Sequence, residues 1–104
     1  MALSPCEQLN DPLIKIVDYK NASSVTVNSG SYATIVLTKP SGEDITGYTY
    51  IGIADVYSGN LRIPITRAYG SNSGCGVYVC NMSSNNYTID ANSCSLKAIF
   101  VKQQ

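Results

Sequence analysis

The chemistry open to this chain is narrowed first by a residue it lacks, because its 104 residues include no histidine. Ser-His and Cys-His nucleophiles are excluded with it, as are imidazole-based zinc sites. The carboxylates Glu7, Asp11, Asp18, Glu43, Asp44, Asp55 and Asp90 are scattered. Glu43 and Asp44 adjoin, but in a loop setting, and Asp55 sits on a strand where it could meet another acid. A glycosidase needs two carboxyl groups about 5–9.5 Å apart across a cleft, and this spacing sets up no such pair. The residue inventory therefore predicts a protein that is not an enzyme, with no cofactor and no metal.

The cysteines are the next reactive group. Cys6, Cys75, Cys80 and Cys94 allow three pairings. Cys80 and Cys94 are the disulfide candidates, provided that the last two strands form a hairpin centred near Tyr87. In that register Val79 opposes Ser95 and Val77 opposes Lys97. Cys75 and Cys80 lie an odd number of residues apart, so a regular strand points them to opposite faces. Their spacing also lacks the C-x₂-C knuckle of a zinc site. The competing and favoured reading, for a protein made in a reducing cytosol, is that most of these cysteines are buried thiols packed as small hydrophobes. The sequons at Asn21, Asn81 and Asn86 read as turn chemistry in a chain rich in Asn, Ser and Thr.

Tyrosine is the residue that points to binding. The chain has eight Tyr, one Phe and no Trp, and several lie among Ser, Gly and Asn, the mixture that antibody loops use. Tyr57–Asn60, Tyr69–Gly74 and Ser83–Tyr87 are such stretches. Tyr57, Tyr69 and Tyr87 could stack on sugar C–H faces, while Arg67, Asn72 and Asn86 hydrogen-bond hydroxyls or carboxylates. These six are the candidate ligand-binding residues, against the plainer reading that they are ordinary turn residues.

Seven basic residues balance seven acidic ones, so no electrostatic footprint exists for nucleic acid or an anionic membrane. No apolar stretch reaches the ~18 residues that a membrane span requires. The first seven residues carry neither a basic n-region nor an apolar h-region, so no signal peptide is read there. Charged residues make up only 13% of the chain, about half the usual share, which suggests that neighbours cover part of the surface.

These residues are positioned by short β-branched and aromatic runs separated by Gly, Asn, Ser and Pro. Strands are expected at 13–19, 25–27, 32–38, 48–57, 61–69, 76–81 and 95–102. Gly52 marks a bulge or a close backbone approach, and Pro64 places its strand at an edge or on its non-bonding side. In the last run, Leu96, Ala98 and Phe100 alternate with Lys97, Ile99 and Val101, so both faces need cover. Ile99 and Val101 are the expected oligomer interface. The prediction is an all-β, antiparallel β-sandwich or jelly-roll of about seven to eight short strands. It forms a single domain over 13–104, after an N-terminal extension over 1–12.

The order of segments carries a resemblance. Ser31-Tyr32-Ala33-Thr34-Ile35 precedes Gly47-Tyr48-Thr49-Tyr50-Ile51-Gly52-Ile53, and Val77-Tyr78-Val79-Cys80-Asn81-Met82-Ser83-Ser84 and a terminal apolar strand follow. This resembles the small distal domains of bacteriophage tail and head fibres, including receptor-binding tips, over roughly residues 24–102. The resemblance implies a homotrimeric β-sandwich on a virion, made in the bacterial cytoplasm, that binds a host surface glycan or protein and other virion proteins. Two further expectations stand beside it. One is a purely structural head-fibre, capsid-decoration or trimerisation domain, and the other is a secreted bacterial carbohydrate-binding or Ig-like module.

Overall fold

The computed structural model describes residues 12–103. Cys6 and nearly all of the expected N-terminal extension lie outside the described residues. No helix occurs among the described residues. Eight strands form in the order β1 Ile14–Lys20, β2 Val25–Val27, β3 Tyr32–Leu37, β4 Tyr48–Tyr57, β5 Ile65–Ser71, β6 Gly74–Cys80, β7 Tyr87–Ile89 and β8 Ser95–Lys102.

They make two three-stranded sheets, β1-β8-β4 and β3-β6-β5, and a two-stranded ribbon, β2-β7. Every pairing is antiparallel, giving the all-β sandwich that alternation predicts. Each strand sends its apolar phase inward. Val17 and Tyr19, Ile35 and Leu37, Val77 and Val79, and Leu96, Ala98 and Phe100 meet in one core. Val27 and Ile89 bring the ribbon into it. Tyr50 packs edge-on against Phe100, with ring centroids 5.9 Å apart.

Two corners tie the sheets together. Lys20 at the end of β1 bridges to Thr38 just after β3. Asn72, in the β5–β6 turn, reaches the start of β4: its Nδ2 donates to the Tyr48 carbonyl and its Oδ1 accepts from the Tyr50 amide, at 2.8 and 2.9 Å. Thr38 and Asn72 share one end of β3-β6-β5, yet they touch opposite ends of β1-β8-β4. The strands of the two sheets therefore cross.

Two expectations need correction. The run from Leu61 is not a strand until Ile65, because Asn60 folds Ser58–Pro64 into a connection between sheets. Its side-chain oxygen accepts the Arg62 amide and its carbonyl accepts the Ile63 amide. Ile63 is the buried plug of that connection. The hairpin that would join Cys80 to Cys94 does not form, because β6 and β8 belong to different sheets and Tyr87 begins a strand of its own. Cys75, Cys80 and Cys94 are accordingly all free and buried. Cys75 lies in the core while Cys80 sits opposite Tyr32 on the other side of its sheet. The irregularity expected at Gly52 is present, with the β4 register slipping between Tyr50 and Gly52.

Candidate functional site

The asparagines that the sequons single out are struts, which is the turn chemistry expected of them. Asn21 is buried; its Nδ2 donates to the carbonyls of Ser23 and Asp90, and its Oδ1 accepts the Cys94 amide at 2.9 Å. Asn81 is likewise buried, donating to Val27 and Asn85 carbonyls and accepting from the Ser83 amide. Asn86 accepts the Ser29 amide at 2.8 Å. A buried asparagine amide supplies two donors and an acceptor, so it replaces a missing ladder partner wherever the chain changes direction.

Of the six candidate ligand-binding residues, the structure brings two together. Arg67 and Tyr69 share the outward face of β3-β6-β5. Asn72 has both ends of its amide engaged by backbone and Asn86 has its Oδ1 so engaged, so both serve as scaffolding. Tyr87 is half-buried in the ribbon with the Arg62 guanidinium 5.1 Å from its ring centroid. Tyr57 lies at the end of β4, in register with Ser95 on the outer side of the other sheet.

The Arg67–Tyr69 face is fuller than the sequence suggested. Its outward residues fall in cross-strand rows: Thr34, Tyr78 and Arg67 in one, Val36, Gly76 and Tyr69 in the next. Tyr32 stands at the end of β3, one row further out and 76% exposed. Tyr32, Tyr78 and Tyr69 thus form a diagonal across the three strands. The last two rings are 5.6 Å apart and tilted by 48°. Gly76 is what lets Tyr69 lie down: a Cβ there would meet the Tyr69 ring and hydroxyl at 2.3–2.8 Å. Beside that ring is a hollow of about 260 Å³ edged by Val36, Ser71, Ser73 and Gly74.

The opposite outer face, on β1-β8-β4, is aliphatic. Ile14 pairs with Val101 and Ile16 with Ile99, and Gly52 continues the second row on β4. Ile14, Ile16 and Ile51 are 59–61% exposed. Ile99 and Val101, the expected interface residues, are half-buried at the centre of this patch. A charged row, Asp18, Lys97 and Asp55, bounds it. The isoleucines of β1 were not anticipated, although 13–17 is apolar in both strand phases except at Lys15.

Larger hollows lie elsewhere, but their charges are already answered. In one of about 500 Å³, Lys20 faces Asp18 at 3.8 Å. In another of about 620 Å³, Lys15 reaches Glu43 at 3.4 Å and the Asp44 carbonyl at 2.7 Å and sits over the Tyr48 ring. The Asp44 carboxyl accepts the Thr46 amide at 2.9 Å, which holds its pKa below the ordinary carboxylate value. Burial pushes the thiols up, Cys75 above its usual value and Cys94 to about 11. Neither is a thiolate at neutral pH, so neither is poised as a nucleophile. No three His, Cys, Asp or Glu side chains cluster as a metal site among the described residues.

Comparisons with protein-family models, with curated proteins and with solved structures return no match.

Proposed function

We propose that this chain is a virion-surface module of the phage fibre-tip class that associates with copies of itself, as a trimer, and attaches to a host cell-surface glycan. The observation that carries the reading is the aliphatic outer face of β1-β8-β4. Side chains of Ile14, Ile16 and Ile51 there are 59–61% exposed and Ile99 and Val101 only half-buried among the described residues, and each buried aliphatic side chain is worth about 1.5–3 kcal/mol. Three such faces turned toward a common axis would remove these rows from water. The aromatic face of β3-β6-β5 would remain outside, repeated three times, so that weak single contacts add up. The segment Gly47–Ile53 that carries the family resemblance supplies Ile51 to the patch, and free buried thiols accord with synthesis in a reducing cytoplasm.

The test is native mass by light scattering coupled to size exclusion. Three times the 11.1 kDa chain is expected, with dissociation at low concentration. Ile99→Asp should weaken association on the order of a hundredfold, since it buries an unpaired carboxylate, while circular dichroism stays that of a folded sheet. A wild-type monomer at every concentration would remove assembly from the function.

A further inference from the structure

Arg67 is the one charged residue of β3, β5 and β6, which together hold no Asp or Glu. Its guanidinium makes no hydrogen bond or ion pair among the described residues, whereas Lys15 and Lys20 each have a carboxylate within 4 Å. Arg62, the chain's other arginine, covers the Tyr87 ring. Arg67 instead stands exposed next to Tyr78 in the cross-strand row, with Tyr69 two residues further along β5.

We infer that the outer face of β3-β6-β5 binds a carboxylated saccharide, its sugar rings stacked along Tyr32, Tyr78 and Tyr69 and its carboxylate held by Arg67. The inference rests on the reading of this face as a glycan-binding surface and adds the ligand's charge and shape. Exposed tyrosine rings present broad apolar faces that match sugar C–H surfaces, with hydroxyls at the rim. Their diagonal arrangement across three strands suits an extended chain better than a single ring. A guanidinium without a counter-ion is a fork of donors matched to a planar carboxylate. The hollow beside Tyr69, about 260 Å³ with the hydroxyls of Ser71 and Ser73 at its edge, has room for one sugar unit. A single cation does not match a nucleic-acid backbone, which carries a charge at every step.

Calorimetric titration of the full chain tests this with five probes: oligogalacturonate, oligosialate, a neutral cello-oligosaccharide, polyglutamate and oligo-dT. Binding of oligogalacturonate or oligosialate at least tenfold tighter than the neutral sugar is expected, and the tighter of the two identifies the source of the carboxylate. Arg67→Gln, at an exposed position without partners, should bring the acidic sugar down to the neutral level. Arg67→Lys should fall between, and Tyr69→Ala should weaken acidic and neutral sugars alike. Equal binding of acidic and neutral sugars, unmoved by Arg67→Gln, would overturn the carboxylate inference and leave the glycan reading standing. Binding of none of the three sugars would overturn both. Polyglutamate or oligo-dT bound as tightly as the sugars would also overturn it, because any anion would then suffice.

Discussion

The two outward faces of the sandwich share a strand geometry and differ in the side chains that dominate them. On β1-β8-β4 the outward residues are isoleucine and valine, and the charges beside them stand in an alternating row, Asp18, Lys97 and Asp55. On β3-β6-β5 three tyrosines stand among Thr34 and Val36, and the only charge has no counter-ion among the described residues. An aliphatic side chain in water gains only by being covered, so the first face suits a stable, non-directional contact such as a neighbouring subunit. A tyrosine tolerates water at its hydroxyl while offering its ring, so the second suits a ligand that comes and goes. The difference lies in which residue occupies the outward phase of each strand, since both inward phases feed a single core.

If one core supports both faces, a break beneath them should remove both properties together. Asn21 is the place to make it, because it joins the end of β1 to the approach to β8 through three side-chain hydrogen bonds. Asn21→Ala leaves the buried Cys94 amide and two carbonyls without those partners, at a cost of about 3 kcal/mol. Urea unfolding should show the midpoint falling accordingly, with self-association and sugar binding lost along the same curve. Loss of one property well before the other would mean that the sheets unfold separately. An unchanged midpoint would mean that the hub is expendable.

Alkali probes the same core without a mutation. The Cys94 thiol titrates at about 11 in the fold because burial disfavours the thiolate, above its ordinary value of 9.0. A group whose folded pKa is raised contributes its full stability below the unfolded value and loses it as pH climbs toward the folded one. Stability should therefore hold to about pH 9 and fall by about 2–3 kcal/mol by pH 11. Tyr19 and Tyr50, whose pKa values burial also raises, add to the loss above pH 10. Urea midpoints at pH 7, 9 and 11 measure it. Cys94→Ala should shrink the drop between pH 9 and 11, with the raised Cys75 and the two tyrosines leaving a remainder, and a wild-type midpoint unchanged from pH 9 to 11 would contradict a buried thiol.

Much of this architecture is legible in the residues themselves. Strict alternation in β3 and in β8 identifies the core residues Ile35, Leu37, Leu96, Ala98 and Phe100, and the second apolar phase of β8 points to Ile99 and Val101 as an outward patch. The ribbon strand Tyr87–Ile89 is too short, and too closely flanked by Asn and Ser, for periodicity to register. The expected pairing of Cys80 with Cys94 fails because sequence-adjacent strands need not share a sheet, and no local signal announces the switch. Asn72 and Asn86 read as recognition groups because an asparagine that caps a backbone and one that meets a ligand look alike in sequence. Tyr32 and Tyr78 do not read as binding residues for the opposite reason: they lie inside strands, where a tyrosine is ordinary strand composition. Only register places them beside Arg67 and Tyr69.

The finest test uses one small substitution on each face. Gly52 and Gly76 both sit on outward rows, and neither has a positive φ. A Cβ at Gly52 meets nothing within 4 Å, so Gly52→Ala should leave the melting curve unchanged or slightly raised, as expected from the roughly 0.5–1 kcal/mol that glycine costs in a strand. Sugar binding should not move. A Cβ at Gly76 collides with the Tyr69 ring, but what it strikes is the far end of a side chain with solvent beside it. The ring can swing away, so Gly76→Ala should also stay within about 1 kcal/mol of wild type. Its effect should appear in binding, because Tyr69 loses its seat and the hollow beside it loses a wall. An affinity for acidic sugar that drops at least fivefold with Gly76→Ala, and not with Gly52→Ala, would separate the faces by function at nearly constant stability. Full affinity in the Gly76→Ala protein would show that the ligand does not read the position of Tyr69, and the aromatic diagonal would then end at Tyr78.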